Sequence, residues 1–245
     1  VVDLFGKAWF ERGCFSTHFQ NMVVEGEEVR VFIEPKTDTF AYCRAEKADG
    51  TPVLEASATL GPDHGETLLA ARMAKLRPAG DLVILSDMKT GMTGPDDELV
   101  RMDPDQHMGD LYPFSLNDKL QKITEPLDWY HDASASPWGR AIVPTEMVSV
   151  LGNYTGGMVS WPVKRPSIGL FADLEIKMVD GPLFVGETYR LKREVVALSQ
   201  SRRVENYWVL TSFYDEGGSD LKAQMLLNHG VMKASYPDYP KDLLA

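Results

Sequence analysis

Cysteine is nearly absent: the 245-residue chain has two, Cys14 and Cys43. Two thiols in so long a chain are no disulfide framework, so reduced, buried cysteines are expected, which points to a cytoplasmic location. Basic charge is also short, with 25 Lys and Arg against 36 Asp and Glu and a net charge of -11. Such a balance excludes nucleic acid as a main partner, because phosphate binding needs a basic footprint. The densest basic pairs, Lys192-Arg193 and Arg202-Arg203, suit at most one small anionic ligand. No apolar run approaches the roughly 20 residues that span a bilayer, so no membrane partner is expected, and no signal peptide is visible. Dinucleotide, phosphate-loop and nucleophile-elbow motifs are missing. Five scattered histidines and two cysteines give no metal-ligand spacing, so neither a metal nor a cofactor is predicted.

What is present is repetition. Residues 23–60 and 179–232 run through the same order of Gly-Glu turn, long strand, tight turn and long strand. Gly26-Glu27 opens one copy and Gly186-Glu187 the other; Ala48-Asp49-Gly50 and Asp215-Glu216-Gly217-Gly218 make the tight turns. An offset of about 160 residues is far longer than a solenoid or propeller repeat, so a whole domain is duplicated.

The second copy has a long lead-in containing Trp129-Tyr130-His131-Asp132, a polar loop, and then Pro137-Trp138-Gly139-Arg140-Ala141-Ile142-Val143-Pro144-Thr145-Glu146-Met147. From Pro144 the pattern turns helical. Val143, Met147, Val150, Leu151 and Tyr154 recur at three and four, predicting about three turns of buried helix that stop at Gly152-Asn153 and Gly156-Gly157. Long strands are expected over 169–179, 187–198, 203–214 and 221–235, joined by glycine turns as in an antiparallel meander. A sheet curled around one helix hides the apolar girth of that helix.

This order of elements, with residues 130–147, resembles the hotdog superfamily, and the duplication resembles its double-hotdog branch of MaoC-like acyl-CoA dehydratases and related thioesterases. The resemblance implies an α+β double hotdog, two antiparallel sheets each wrapped around a central helix. The first repeat is placed at 1–76, a linker and lead-in at 77–120, and the second repeat at 121–245. The first copy has almost no lead-in, so its helix is expected to be largely missing, with residues 1–5 as a stub. Within the linker a strand is expected at 82–86, and at the end of the first repeat a short amphipathic helix at 66–76.

MaoC-like hydratases carry an aspartate and a histidine a few residues apart in a loop, before an Ile-Ala-His-Gly-like turn into the helix. Here the turn reads Ile142-Val143-Pro144-Thr145, and His131-Asp132 stands near the place of the pair with a different spacing. By this resemblance His131, Asp132 and Glu146 are the catalytic candidates, Glu146 because hotdog thioesterases often place an acid on this helix. Its alternative is that a first-turn glutamate only complements the helix dipole. Trp138, Arg140, Thr145, Met147 and Tyr154 are the substrate-binding candidates, with structural packing as the alternative for Trp138 and a solvated surface position for His131. His18 and His229 read as structural strand residues. The implied partner is a small acyl thioester, with coenzyme A admitted as part of the substrate and not as a cofactor. A homodimer is a further expectation of the resemblance. The implied activities are hydration or dehydration at the seam between repeats, thioester hydrolysis by Glu146, or acyl binding without catalysis.

Overall fold

The computed structural model describes residues 1–244. Nine strands form one antiparallel sheet: β1 Gly13–Phe19, β2 Val29–Thr37, β3 Phe40–Lys47, β4 Pro52–Leu60, β5 Leu99–Arg101, β6 Gly169–Met178, β7 Thr188–Gln200, β8 Val204–Asp215 and β9 Leu221–Met232. Their order across the sheet is β2-β3-β4-β1-β6-β9-β8-β7-β5. Apart from the edge strand β5, the order reads the same from either end once the second copy is mapped onto the first. The expectation of two sheets is therefore corrected. β1 and β6 pair directly, from Cys14 with Lys177 to His18 with Asp173, and fuse both halves into one sheet.

Strand placement follows alternation. In β3, Ala41, Cys43 and Ala45 are buried while their neighbours are half-buried, the period-two pattern of a strand with one covered face. Cys14 and Cys43 are both buried, free thiols. Burial pushes the Cys14 thiol well above its ordinary value, and nearby Glu175 adds to the effect.

Five short helices accompany the sheet: α1 Val2–Phe5, α2 Lys7–Arg12, α3 Leu68–Met73, α4 Leu116–Leu120 and α5 Thr145–Leu151. Helical structure in the first copy thus extends to Arg12, beyond the five-residue stub expected, and buries Trp9 and Phe10. α3 is capped by Thr67, whose hydroxyl accepts the Ala70 N–H at 3.2 Å. None of these helices is long and apolar enough to cross a membrane.

α5 lies on the second half of the sheet. Met147, Val148, Val150 and Leu151 pack with Ile176, Met178, Leu191, Phe213 and Met225 in one core. The contact is close enough that a Cβ on Gly152 would stand 2.6 Å from the Phe213 ring. The helix is shorter than its periodicity predicts, about two turns in place of three. Its end has a physical cause: the Gly152 carbonyl accepts from the Arg193 guanidinium at 2.6 Å, while the Gly156 N–H goes to Asn153.

Residues 82–86 also depart from expectation. They form turns where a strand was predicted, because their backbone donors have a better acceptor than a neighbouring strand. The fully buried Glu205 carboxylate takes the N–H groups of Val83, Ile84 and Leu85 at 2.8 to 3.0 Å, and the Tyr239 hydroxyl at 3.0 Å. A buried carboxyl group met by four donors is satisfied, and it ties this segment to β8.

Candidate functional site at the seam

The loop leading into α5 crosses to the first half of the molecule. Phe10 of α2 makes edge contacts with Trp129, Tyr130 and Trp138, at ring distances of 5.7, 6.1 and 6.3 Å. The Trp138 indole N–H donates to Glu11 at 3.1 Å. This aromatic clamp carries the start of α5 to the junction of the two halves, where the Trp9 indole N–H donates to the Thr145 hydroxyl at 3.3 Å.

A cavity of about 370 Å³ opens there. Its walls are Val1, Val2, Trp9, Phe15, Phe19 and Leu54 from the first half and Ile123, Leu174 and Ile176 from the second. Its polar groups are Thr17, Glu125, Tyr130, Thr145, Glu146 and Ser149. An apolar pocket of this size with a few convergent polar groups is what a small-ligand site looks like.

Tyr130 is buried and its hydroxyl donates to the Glu125 carboxylate. Burial, reinforced by that carboxylate, pushes the phenol well above its ordinary range, so it keeps its proton at any physiological pH. Glu146 pairs with Lys119 of α4 while remaining 52% exposed. The backbone N–H groups of Thr145 and Glu146 belong to the first turn and have no partner among the described residues. The cavity therefore places a solvated carboxylate, a protonated phenol and unpaired amide donors beside an apolar wall.

Of the residues the sequence singled out, Thr145 and Glu146 line this cavity and the others do not. The His131 side chain is 59% exposed, with its nearest acid, Asp128, 3.8 Å away and 76% exposed. Asp132 turns back on its own loop, accepting from the Ser134 N–H and hydroxyl, and those bonds lower its pKa. Trp138 belongs to the aromatic clamp. Arg140 pairs with Glu187 and lies over the Phe184 ring at 4.1 Å. Met147 is fully buried in the core, and Tyr154 packs at the opposite end of α5. Sequence reasoning missed Tyr130 with Glu125, and Trp9. Tyr130 sat inside a quoted motif, yet its partner Glu125 is five residues upstream and carries no pattern of its own.

The reverse face of the seam is closed. His18 Nδ1 lies 2.7 Å from Asp173, whose carboxylate also accepts from Asn228 at 2.7 Å and sits 3.0 Å from Arg72 Nε on α3. Burial pushes Asp173 up, but these three partners outweigh it and hold the carboxyl below its ordinary value. Ser16 and Ser57 accept the N–H groups of Leu69 and Leu68, docking α3 over the pair. This histidine and aspartate fasten α3 to β1 and β6, on the opposite side of the sheet from the cavity. Among the described residues no group of three or more His, Cys, Asp or Glu is arranged to hold a metal ion.

The fold and the seam define a class, the double hotdog: one continuous antiparallel sheet with the second half curled on a buried helix and a cavity where the halves meet. Comparison with known structures agrees. Over 94% of its length the chain superposes on 76% of a structure described as a MaoC domain protein dehydratase from Chloroflexus aurantiacus, with a TM-score of 0.56 at 15% identity. A second structure, described as a MaoC-like dehydratase, matches over 91% of this chain and 74% of its own, with a TM-score of 0.51 at 12% identity. The chain has the fold of the hotdog superfamily and its MaoC-like relatives. No family model and no curated protein matches the sequence.

Proposed function

We propose that this protein is an acyl-thioester enzyme whose substrate places its acyl part in the seam cavity, and that its reaction adds or removes water. The observation that carries this reading is the convergence of Glu146, the Tyr130–Glu125 pair and the unpaired N–H groups of Thr145 and Glu146 on one apolar pocket. An apolar wall suits an acyl chain, and amide donors suit the carbonyl oxygen as it gains charge. In dehydration of a 3-hydroxyacyl thioester, Glu146 takes the proton from the α-carbon and passes it to the departing hydroxyl, which leaves as water and regenerates the carboxylate, while Tyr130 stays protonated in the pocket wall. Hydration runs the same steps backwards.

Hydrolysis is the second reading, and one observation favours it: no histidine lines the seam cavity among the described residues. Glu146 would then take a proton from water as that water attacks the thioester carbonyl, and the thiol leaves with the proton. A third outcome is binding without turnover. Each has its own readout when enoyl-, 3-hydroxyacyl- and saturated acyl-CoA thioesters are offered. Change in the enoyl-thioester absorbance reports hydration or dehydration, and released free thiol reports hydrolysis. Saturable binding with neither signal would reassign the protein as an acyl-binding subunit. No binding of any member of the panel would remove the reading altogether.

A further inference from the structure

A second cavity, of about 430 Å³, lies at the other end of α5 and shares no lining residue with the first. Its floor is formed by residues of β6, β8 and β9, and the chain between α5 and β6 contributes Trp161 and Arg165 to its wall. Among its lining residues the charged groups are Arg193 and Arg165, and no carboxylate is present. Arg193 is accounted for, because Glu98 grips it in a buried two-pronged ion pair at 2.7 and 2.8 Å. Arg165 is exposed and has no carboxylate partner among the described residues. In a chain of net charge -11, a pocket whose one uncompensated charge is positive is a departure from the surrounding electrostatics.

The interior is flat and aromatic. The His229 ring stacks on Tyr207 with centroids 4.6 Å apart and planes 8° from parallel, and Phe171 meets it edge-on at 5.5 Å. Neither the His229 ring nitrogens, the Tyr207 hydroxyl nor the Trp161 indole N–H makes a hydrogen bond among the described residues, although all three side chains line the cavity. Burial, with Arg193 adding to it, lowers the His229 pKa to about 4, so at neutral pH the ring has one donor and one acceptor to offer. None of these atoms is sealed from solvent, so each is free to meet a ligand that enters the cavity.

From this geometry we propose that the cavity is a second small-molecule site, which takes a flat aromatic or conjugated monocarboxylate. Its carboxylate would meet the Arg165 guanidinium and its ring would lie against Tyr207, His229 and Trp161. The proposal does not depend on the reading of the seam.

The test uses 2-naphthoate and its neutral amide, 2-naphthamide, as calorimetric probes of the whole chain. Two variants locate the site. Arg165→Gln changes an exposed side chain. Gly157→Leu fills the cavity from its rim, where a Cβ would meet nothing within 4 Å and φ is not in the left-handed range. Naphthoate should bind the unmodified protein saturably. Arg165→Gln should weaken naphthoate at least about tenfold and leave naphthamide unchanged, and Gly157→Leu should abolish both while the melting temperature stays within a few degrees. The proposal is overturned by absence of saturable naphthoate binding, by equal naphthoate affinity with and without Arg165, or by binding that persists in a folded Gly157→Leu protein.

Discussion

The two ends of α5 differ in charge although the same seven-residue helix joins them. At its start the seam cavity gathers the carboxylates Glu125 and Glu146 with Lys119 close by; at its finish the second cavity is lined by Arg165 and by Arg193, which Glu98 neutralises from outside the lining. The two ends are also held differently. Arg193 is fixed by Glu98, Thr155, Thr211 and the Gly152 carbonyl, so the finish is structural first. Glu146 is half in solvent with a single ionic partner, so the start is free to do chemistry.

The largest expected effect therefore falls at the finish. Arg193→Met leaves Glu98 buried without its counter-ion and the Gly152 carbonyl without a donor, and should cost about 3 to 5 kcal/mol in denaturant unfolding. Adding Glu98→Leu should recover much of that loss. If the single variant unfolds at the same denaturant concentration as the parent, the cation is not fastening the helix.

An acid-side loss of stability should come next. His229 has a folded pKa near 4 against about 6.5 unfolded, so between those values the unfolded chain binds the extra proton. Its contribution is complete above pH 6.5 and is lost as pH falls toward 4, by up to about 3 kcal/mol. Asp173, with its carboxyl held below the ordinary value, adds a loss at lower pH still, as protonation removes its pairing with His18, Asn228 and Arg72. A His229→Gln protein should lose most of the first slope, keeping the part contributed by His64, whose pKa burial also lowers, and should keep the second. An unchanged slope between pH 6.5 and 4 would show that His229 is not held neutral.

A smaller effect probes the turn into β7. Gly186 has φ of +77°, and its N–H donates to Met102. Gly186→Val should cost about 1 to 2 kcal/mol from that conformation alone and lower the melting temperature by several degrees. An unchanged melting temperature would count against the register set there. Smallest of all, His131→Ala should leave turnover and stability within about 0.5 kcal/mol of the parent, since the ring is exposed and outside the cavity.

Much of this fold is legible in the sequence because it rests on local patterns. The Gly-Glu turns and the glycine turns between long runs give the positions of β7, β8 and β9 to within a few residues, and the duplication shows in the repeated order of strands. Where the reading failed, a distant side chain had intervened. Glu205 on β8 captures the backbone of 83–85 and makes a turn of an apolar run, and Arg193 on β7 takes the carbonyl that would have continued α5. One sheet appears where two were expected because β1 and β6 pair across more than 150 residues, which no local pattern records.

The candidate sites were less legible. Thr145 and Glu146 could be found because they follow a helix-start signal. Lys192-Arg193 pointed to an anionic ligand by density alone, yet the two residues face opposite ways: Lys192 lies over Tyr214, and Arg193 is buried against Glu98. His229 read as a structural strand residue, and the cavity it lines is assembled from β6, β8, β9 and the chain after α5, segments whose proximity only the fold creates.

The proposed chemistry at the seam rests on the solvated carboxylate at the start of α5. Its most direct test is kcat/KM for Glu146→Gln beside the unmodified protein, on whichever thioester of the panel is turned over. The expected result is a fall of at least about thirtyfold, or roughly 2 kcal/mol of transition-state stabilisation, with the melting temperature unchanged. Equal kcat/KM for the two proteins would contradict it.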